Sequence, residues 1–236
     1  MILCLRDEID AAQDVAYLTS FGIGAVAASV MQIQTHEIDL PDISKCQGLI
    51  YTSRYAIQSA HTMLSAQAYC VGAGSARAAQ IAGFQDVIAG DAGADRLAEI
   101  ISNSLSPDDG AFYWPHGAIV QMDMVAALRK DGFRVFEDIL YELKPIEIVP
   151  APVASAADCA AITAVMCFSA QHLHQLARLL EAAGLWHHHE NWALIVPSAR
   201  VANAVPARWD SLHIAEVPSH QAMLDAAKTY AQKTKL

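Results

Sequence analysis

Five short segments pair small residues with polar groups, and each follows an apolar run: Thr52-Ser53-Arg54, Gly72-Ala73-Gly74-Ser75, Pro115-His116-Gly117, Ser169-Ala170-Gln171 and Pro197-Ser198. Where such a segment leads from a strand into a helix, the free amide N–H groups attract anions, and the lack of bulk lets a ligand approach the backbone. Ser53, Ser75, Ser169 and Ser198 are each, taken singly, ordinary helix N-caps. Four of them in matched settings point to a shared polar cleft. Tyr141 adds a different chemistry, because a phenol can donate a proton to a leaving group. Its plainer alternative is a buried aromatic whose hydroxyl is satisfied locally. Alternation along Phe133–Leu143 puts Ile139, Tyr141 and Leu143 on one face.

Other motifs carry less. Val71-Gly72-Ala73-Gly74-Ser75-Ala76-Arg77 invites a dinucleotide reading, but Arg77 stands where the third glycine of the fingerprint belongs, and no acidic residue closes a following strand. Ser53, Ser169 and Ser198 do not lie in GxSxG, so a hydrolase elbow has no support. His187-His188-His189 reads as a solvated helix-to-strand loop, and His172 and His174, two apart on a helix, cannot share a ligand face. No metal is expected.

The elements that must position these groups alternate between short apolar runs and helical periodicities, the mark of α/β architecture with mainly parallel sheets. Strands are expected at Ile2–Leu5, Ala25–Ile33, Gly48–Thr52, Ala68–Val71, Asp86–Ala89, Ala111–Trp114, Phe133–Tyr141, Ala161–Phe168, Trp192–Val196 and Ser211–Ile214, with amphipathic helices between them. The plan occurs twice. Ser-Ala-Arg stands at 75–77 and again at 198–200, each after an apolar run; Tyr51-Thr52-Ser53 precedes the first copy and Phe168-Ser169 the second. Two similar flavodoxin-like or Rossmann-like lobes with a ligand between them are the expectation. Thr35–Ser44 and Glu142–Ser155, the latter with Pro145, Pro150 and Pro152, read as linkers.

Composition sets the outer bounds. The 236 residues suit two domains of ordinary size. More than half are hydrophobic, yet no apolar run approaches the roughly 20 residues needed to span a bilayer. Met1–Arg6 reads as a first strand and not as a leader, which suggests the cytoplasm. The five cysteines lack CxxC spacing and read as reduced. A formal charge of −10 without basic clusters argues against a nucleic-acid partner. Screening over about 10 Å still leaves a local cleft free to bind an anion.

Taken in order, these segments resemble the uroporphyrinogen-III synthase family. The resemblance runs from Ile50-Tyr51-Thr52-Ser53 through Val71–Ala76, Gly83-Phe84, Trp114-Pro115-His116-Gly117 and Leu140-Tyr141 to Phe168-Ser169, Pro197-Ser198 and Ala215-Glu216, nearly the whole chain. It implies one domain built from both chain ends (1–36 and 147–236), an inserted second domain (40–143), and a two-stranded connector within the linkers 35–44 and 142–155. It also implies a reaction: closure of the linear tetrapyrrole hydroxymethylbilane to uroporphyrinogen III, with inversion of the last pyrrole through a spiro intermediate, loss of water and no cofactor. On this resemblance Tyr141 assists departure of the hydroxyl, and Ser75 matches a threonine of the glycine-containing loop. Thr52, Ser53, Gly72, Ala73, Gly74, Ser75, Pro115, His116, Gly117, Ser169, Ala170, Pro197 and Ser198 are then the substrate-binding set, and a monomer is implied. The chain departs from the family pattern at Asp7, Gln121, Glu142, Leu143 and Val196, which makes Arg54, Arg77 and Arg200 candidates to supply positive charge. A non-catalytic tetrapyrrole-binding protein of the same fold, or less readily a nucleotide-using enzyme, are the rival readings.

Overall fold

The computed structural model describes residues 1–39, 41–58, 66–90, 94–120, 124–158, 161–205 and 207–234, with the side chains of 157 and 158 excepted. Gln121, named above, lies outside the described residues. The chain divides into two compact units, Met1–Gln32 with Lys144–Leu236, and Ile33–Leu143.

In the first unit, five parallel strands follow the order β11-β10-β9-β1-β2, with β1 at Ile2–Leu5, β2 at Ala25–Ala28, β9 at Ala164–Cys167, β10 at Ala193–Val196 and β11 at Ser211–Ile214. Every residue of β1, β9 and β10 is buried, as continuous apolar runs require when helices cover both faces. Side-chain alternation divides the core. Leu3 and Leu5 face α7 (Ala170–Ala182), whereas Ile2 and Cys4 face α1 (Glu8–Ser20) and α9 (His220–Thr234). Leu173, Leu176, Leu179 and Leu180 form the buried stripe of α7, and each such leucine contributes roughly 1.5–3 kcal/mol.

The second unit orders its sheet β3-β8-β7-β4-β5-β6: β3 is Met31–Thr35, β4 Cys46–Tyr51, β5 Ala68–Val71, β6 Val87–Gly90, β7 Ala111–Gly117 and β8 Arg134–Pro145. The strands from β8 to β6 pair in parallel. Leu49 and Tyr51 pack with α2 (Arg54–Gln58) and α3 (Gly72–Ala82), while Ile50 packs with α4 (Ala94–Ser104) and α5 (Met124–Lys130).

Both sheets are wound outward in two directions from an inner pair of strands. In the first unit β9, β10 and β11 proceed one way and β1, β2 the other; in the second, β4, β5, β6 and β7, β8 do the same. The repeated Ser-Ala-Arg therefore follows the equivalent strands β5 and β10. Mixed α/β architecture with mainly parallel sheets agrees with the expectation from sequence.

Several local expectations change. Ala25–Ile33 is two strands, divided where the Ser29 hydroxyl donates to the Met31 carbonyl at 2.7 Å. Gly72-Ala73-Gly74-Ser75 is the first turn of α3 and not a loop before it, because Gly72, at φ +79°, turns the chain from β5 straight into the helix. Pro115-His116-Gly117 belongs to strand β7. The histidine run lies in a 3-10 turn, Trp186–Asn191, in which His189 is buried and stacked on Trp186 at 4.0 Å. In Glu142–Ser155, β8 continues to Pro145 and α6 (Ala151–Asp158) begins at Ala151, since proline is tolerated at a strand end and in a first helical turn.

Candidate active site

In doubly wound sheets, ligands bind beyond the carboxyl ends of the strands where the winding reverses. In the second unit that point lies between β4 and β7. Thr52 and Ser53 follow β4, Gly117 ends β7, and a cavity of about 440 Å³ opens there, lined by Thr52, Ser53, Val71, Ala94, Gly117, Ile119, Val120 and Tyr141.

Tyr141 reaches this cavity through an irregularity in its strand. His116 pairs with Ile139 but Gly117 pairs with Tyr141, so one extra residue of β8 is accommodated between them. The alternation breaks there: Leu140 and Tyr141 are both buried, while Ile139 and Leu143 are exposed. The bulge thus separates Ile139 from the face that Tyr141 takes, and Leu143, two residues further on, is exposed, so the three do not share a buried face. The phenol ring lies against Gly117, where a Cβ would stand 2.6 Å from its Cζ. The Tyr55 ring meets it edge-on at 5.7 Å.

Burial raises the pKa of Tyr141, and its side-chain hydrogen bond with Ser53 acts in the opposite direction. The phenol is therefore protonated near neutral pH and available as a donor. The Ser53 hydroxyl also accepts the Tyr55 N–H at 3.3 Å. Thr52 is held by the Trp114 indole N–H, which donates to its Oγ1 at 3.3 Å.

Other expected site residues lie elsewhere in this unit. His116 and Pro115 do not line the cavity; His116, on the face of Trp114, falls on the side away from Tyr141 because adjacent residues on a strand face opposite ways. The His116 ring stacks on Trp114 at 4.4 Å, with Nδ1 2.8 Å from the Gly117 carbonyl oxygen. Gly72, Ala73, Gly74 and Ser75 also fall outside the lining; Val71, immediately before them, is part of it. Ala73 and Gly74 are exposed and Ser75 is buried in the first turn of α3.

In the first unit the winding reverses between β1 and β9. Ser169 caps α7, accepting the His172 N–H at 3.2 Å, and its Oγ lies 2.6 Å from His172 Nδ1. Ala170 opens that helix, and Pro197 and Ser198 join β10 to α8 (Ala199–Ala202), Ser198 without a side-chain capping bond. A cavity of about 730 Å³ in this unit runs along α7 past Gln171, Gln175 and Arg178, and none of the serines lines it.

Sequence reasoning passed over the residues after β1. The Arg6 guanidinium lies 4.2 Å from the centre of the Phe168 ring and is ion-paired with Asp10 at 2.5 Å and Asp14 at 3.4 Å. Asp14 is fully buried and also bonds His220 at 2.6 Å. The signal was available, since Arg6 and Asp7 follow a strand as the other segments do. Val71, Ala94, Ile119 and Val120 were passed over because single aliphatic residues carry no motif. Among the described residues, no group of three His, Cys, Asp or Glu could hold a metal ion, and no helix is long and apolar enough to cross a membrane.

Each unit carries a doubly wound sheet, and in the second unit hydroxyls and a buried phenol line a cavity where the winding reverses: a mixed α/β protein with a polar pocket. A family model described as "Uroporphyrinogen-III synthase HemD" matches residues 12–225, and the chain belongs to the uroporphyrinogen-III synthase family, lyases of haem biosynthesis. Among solved structures, the uroporphyrinogen-III synthetase of Helicobacter pylori is similar at 16% identity and a TM-score of 0.60, over 97% of this chain and 98% of that one. A mutant uroporphyrinogen III synthase of Thermus thermophilus aligns at 15% identity and a TM-score of 0.49, over 99% of both chains. A comparison with curated proteins found no match.

Proposed function

We propose that the cavity between β4 and β7 is where this lyase ionises hydroxymethylbilane, with Tyr141 as the proton donor. The chain cyclises that substrate to uroporphyrinogen III with inversion of the terminal ring and loss of water. The pyrrole nitrogen expels the hydroxyl of the hydroxymethyl arm, and the Tyr141 O–H supplies the proton with which it leaves as water. The resulting azafulvene is attacked by the substituted α-carbon of the terminal pyrrole, giving the spiro intermediate. Fragmentation and reclosure follow, and the ring carbon releases one proton, which restores the phenol. Atoms balance: one substrate gives one product and one water.

The observation that carries this reading is a buried phenol, hydrogen-bonded to Ser53 and lining a cavity large enough for one substituted pyrrole. Holding the two ends of a flexible chain together is mainly a task of orientation, which accords with the absence of a strong acid–base pair among the cavity's lining residues. The substrate's carboxylates suit the exposed amides at Ala73 and Gly74 and the cap at Ser169 and Ala170, with Ser75, Pro197 and Ser198 beside them, and Arg54, Arg77 and Arg200 as cationic candidates. Residues 1–36 and 147–236 would act as one domain and 40–143 as the other, in a cytoplasmic monomer that binds no nucleic acid.

The test is to supply freshly made hydroxymethylbilane and separate the product isomers. Type III above the spontaneous type I background supports the reading. Tight binding of the linear tetrapyrrole with type I alone would instead identify a non-catalytic binder.

A further inference from the structure

Ile119 and Val120 stand two and three residues after Gly117 and are 78% and 43% exposed, although both line the cavity that holds Tyr141. With Val71 and Ala94 they make the aliphatic part of a lining that also carries the hydroxyl-bearing residues Thr52, Ser53 and Tyr141. A pyrrole has the same division: apolar faces, and a polar rim of N–H and carboxylates. Large aliphatic side chains at a site whose chemistry is polar are explained when a ligand covers them.

The chemistry gives this aliphatic part a second task. Once the C–O bond breaks and water departs with the Tyr141 proton, the azafulvene carbon can be recaptured by any water within reach. Recapture reforms the C–O bond, returns a proton to the phenolate and leaves the substrate unchanged except for the identity of its oxygen. Excluding water at this moment decides whether ionisation is productive. Resting on the reading above, we infer that Ile119 and Val120 exclude water from the azafulvene, favouring ring attack over recapture.

Oxygen exchange measures this directly. Hydroxymethylbilane is incubated with enzyme in 18O-enriched water, the reaction is quenched at partial conversion, and the label in unreacted substrate is set against the type III product formed, after subtraction of a sample without enzyme. The double variant Ile119→Ser/Val120→Ser should raise exchange per type III formed by five-fold or more. Ile119→Leu/Val120→Leu should keep the wild-type ratio. Both side chains are solvent-exposed in the free protein, so the fold should tolerate either change, and a thermal melt checks this. A serine variant that melts as wild type and exchanges within two-fold of the wild-type ratio overturns the inference. Wild-type enzyme that yields no type III product overturns the underlying functional reading instead, so the two failures are distinct.

Discussion

Gly117, the last residue of β7, and Tyr141 of β8 are cross-strand partners, and the tyrosine ring occupies the space that a side chain at 117 would need. Just beyond this pair the Ala118 N–H donates to the Tyr141 carbonyl at 2.8 Å, which fixes the tyrosine backbone where its ring meets the glycine. Gly117→Ala would put a methyl group 2.6 Å from Cζ and 2.9 Å from the phenol oxygen. The ring must move. The expected cost is about 1–3 kcal/mol of stability, as for other overpacked sites, with turnover falling at least as far as in Tyr141→Phe. Calorimetry and the isomer assay measure the two effects; wild-type turnover in Gly117→Ala would show that ring placement is unimportant.

Tyr141→Phe keeps the ring against Gly117 and removes only the donor. Turnover should fall tens-fold while KM changes little, the pattern for an interaction made in the transition state. Ser53→Ala should have a smaller effect of the same kind, because it removes the hydrogen bond that holds the phenol pKa down against burial. Steady-state kinetics with substrate of known concentration separate the two parameters. Full activity in Tyr141→Phe removes its assigned role.

Asp14 is a stability prediction for the first unit. Its carboxylate has no solvent exposure and accepts from His220 and Arg6, tying α9 and α1 to the end of β1. Asp14→Asn removes the charge and leaves the Arg6 pairing weakened, at an expected cost of about 1–3 kcal/mol, below the value for fully buried pairs because both partners are partly solvated. His220→Ala should cost less than about 1 kcal/mol, since that ring is half exposed. Urea midpoints at constant slope provide the comparison.

Acid stability follows from His172. Burial lowers its pKa, with Asp7 opposing and Arg6 reinforcing the shift. The unfolded chain takes up a proton near 6.5 while the folded chain still resists it, so the stabilisation is complete above that pH and declines as pH falls towards the folded value. For one such group the slope is at most about 1.4 kcal/mol per pH unit. His172→Gln should flatten the fall in melting temperature between pH 6.5 and 5, incompletely, since His213 is shifted in the same direction. An unchanged profile would mean that His172 does not control it.

Much of the architecture was legible from local rules. The apolar run Ile2–Leu5 is read correctly, and the expected run Ala161–Phe168 contains the shorter strand Ala164–Cys167, because a strand covered on both faces leaves no polar position in the run. The doubled Ser-Ala-Arg exposed the repeat, which the equivalent positions of β5 and β10 bear out. Thr52, Ser53, Gly117 and Tyr141 are all legible as candidates in the sequence, and they line one cavity.

What the chain declares by itself is periodicity, and periodicity settles most of which residues are strand or helix, though not the break at Ser29 or the place where β5 passes straight into α3. Which face a residue takes beyond an irregularity is a matter of pairing with a partner strand. The bulge before Tyr141 has no signature in Asp138-Ile139-Leu140-Tyr141, because it arises when His116 and Gly117 find partners that are not consecutive. His116 and Gly117 are likewise neighbours in sequence, yet alternation sends the histidine to Trp114 and leaves the glycine under the phenol. Arg6, Asp14 and His220 lie far apart along the chain and acquire a common meaning only when β1 and the helices beside it are packed together. Local chemistry selected the groups that could act; long-range register and packing decided which of them meet.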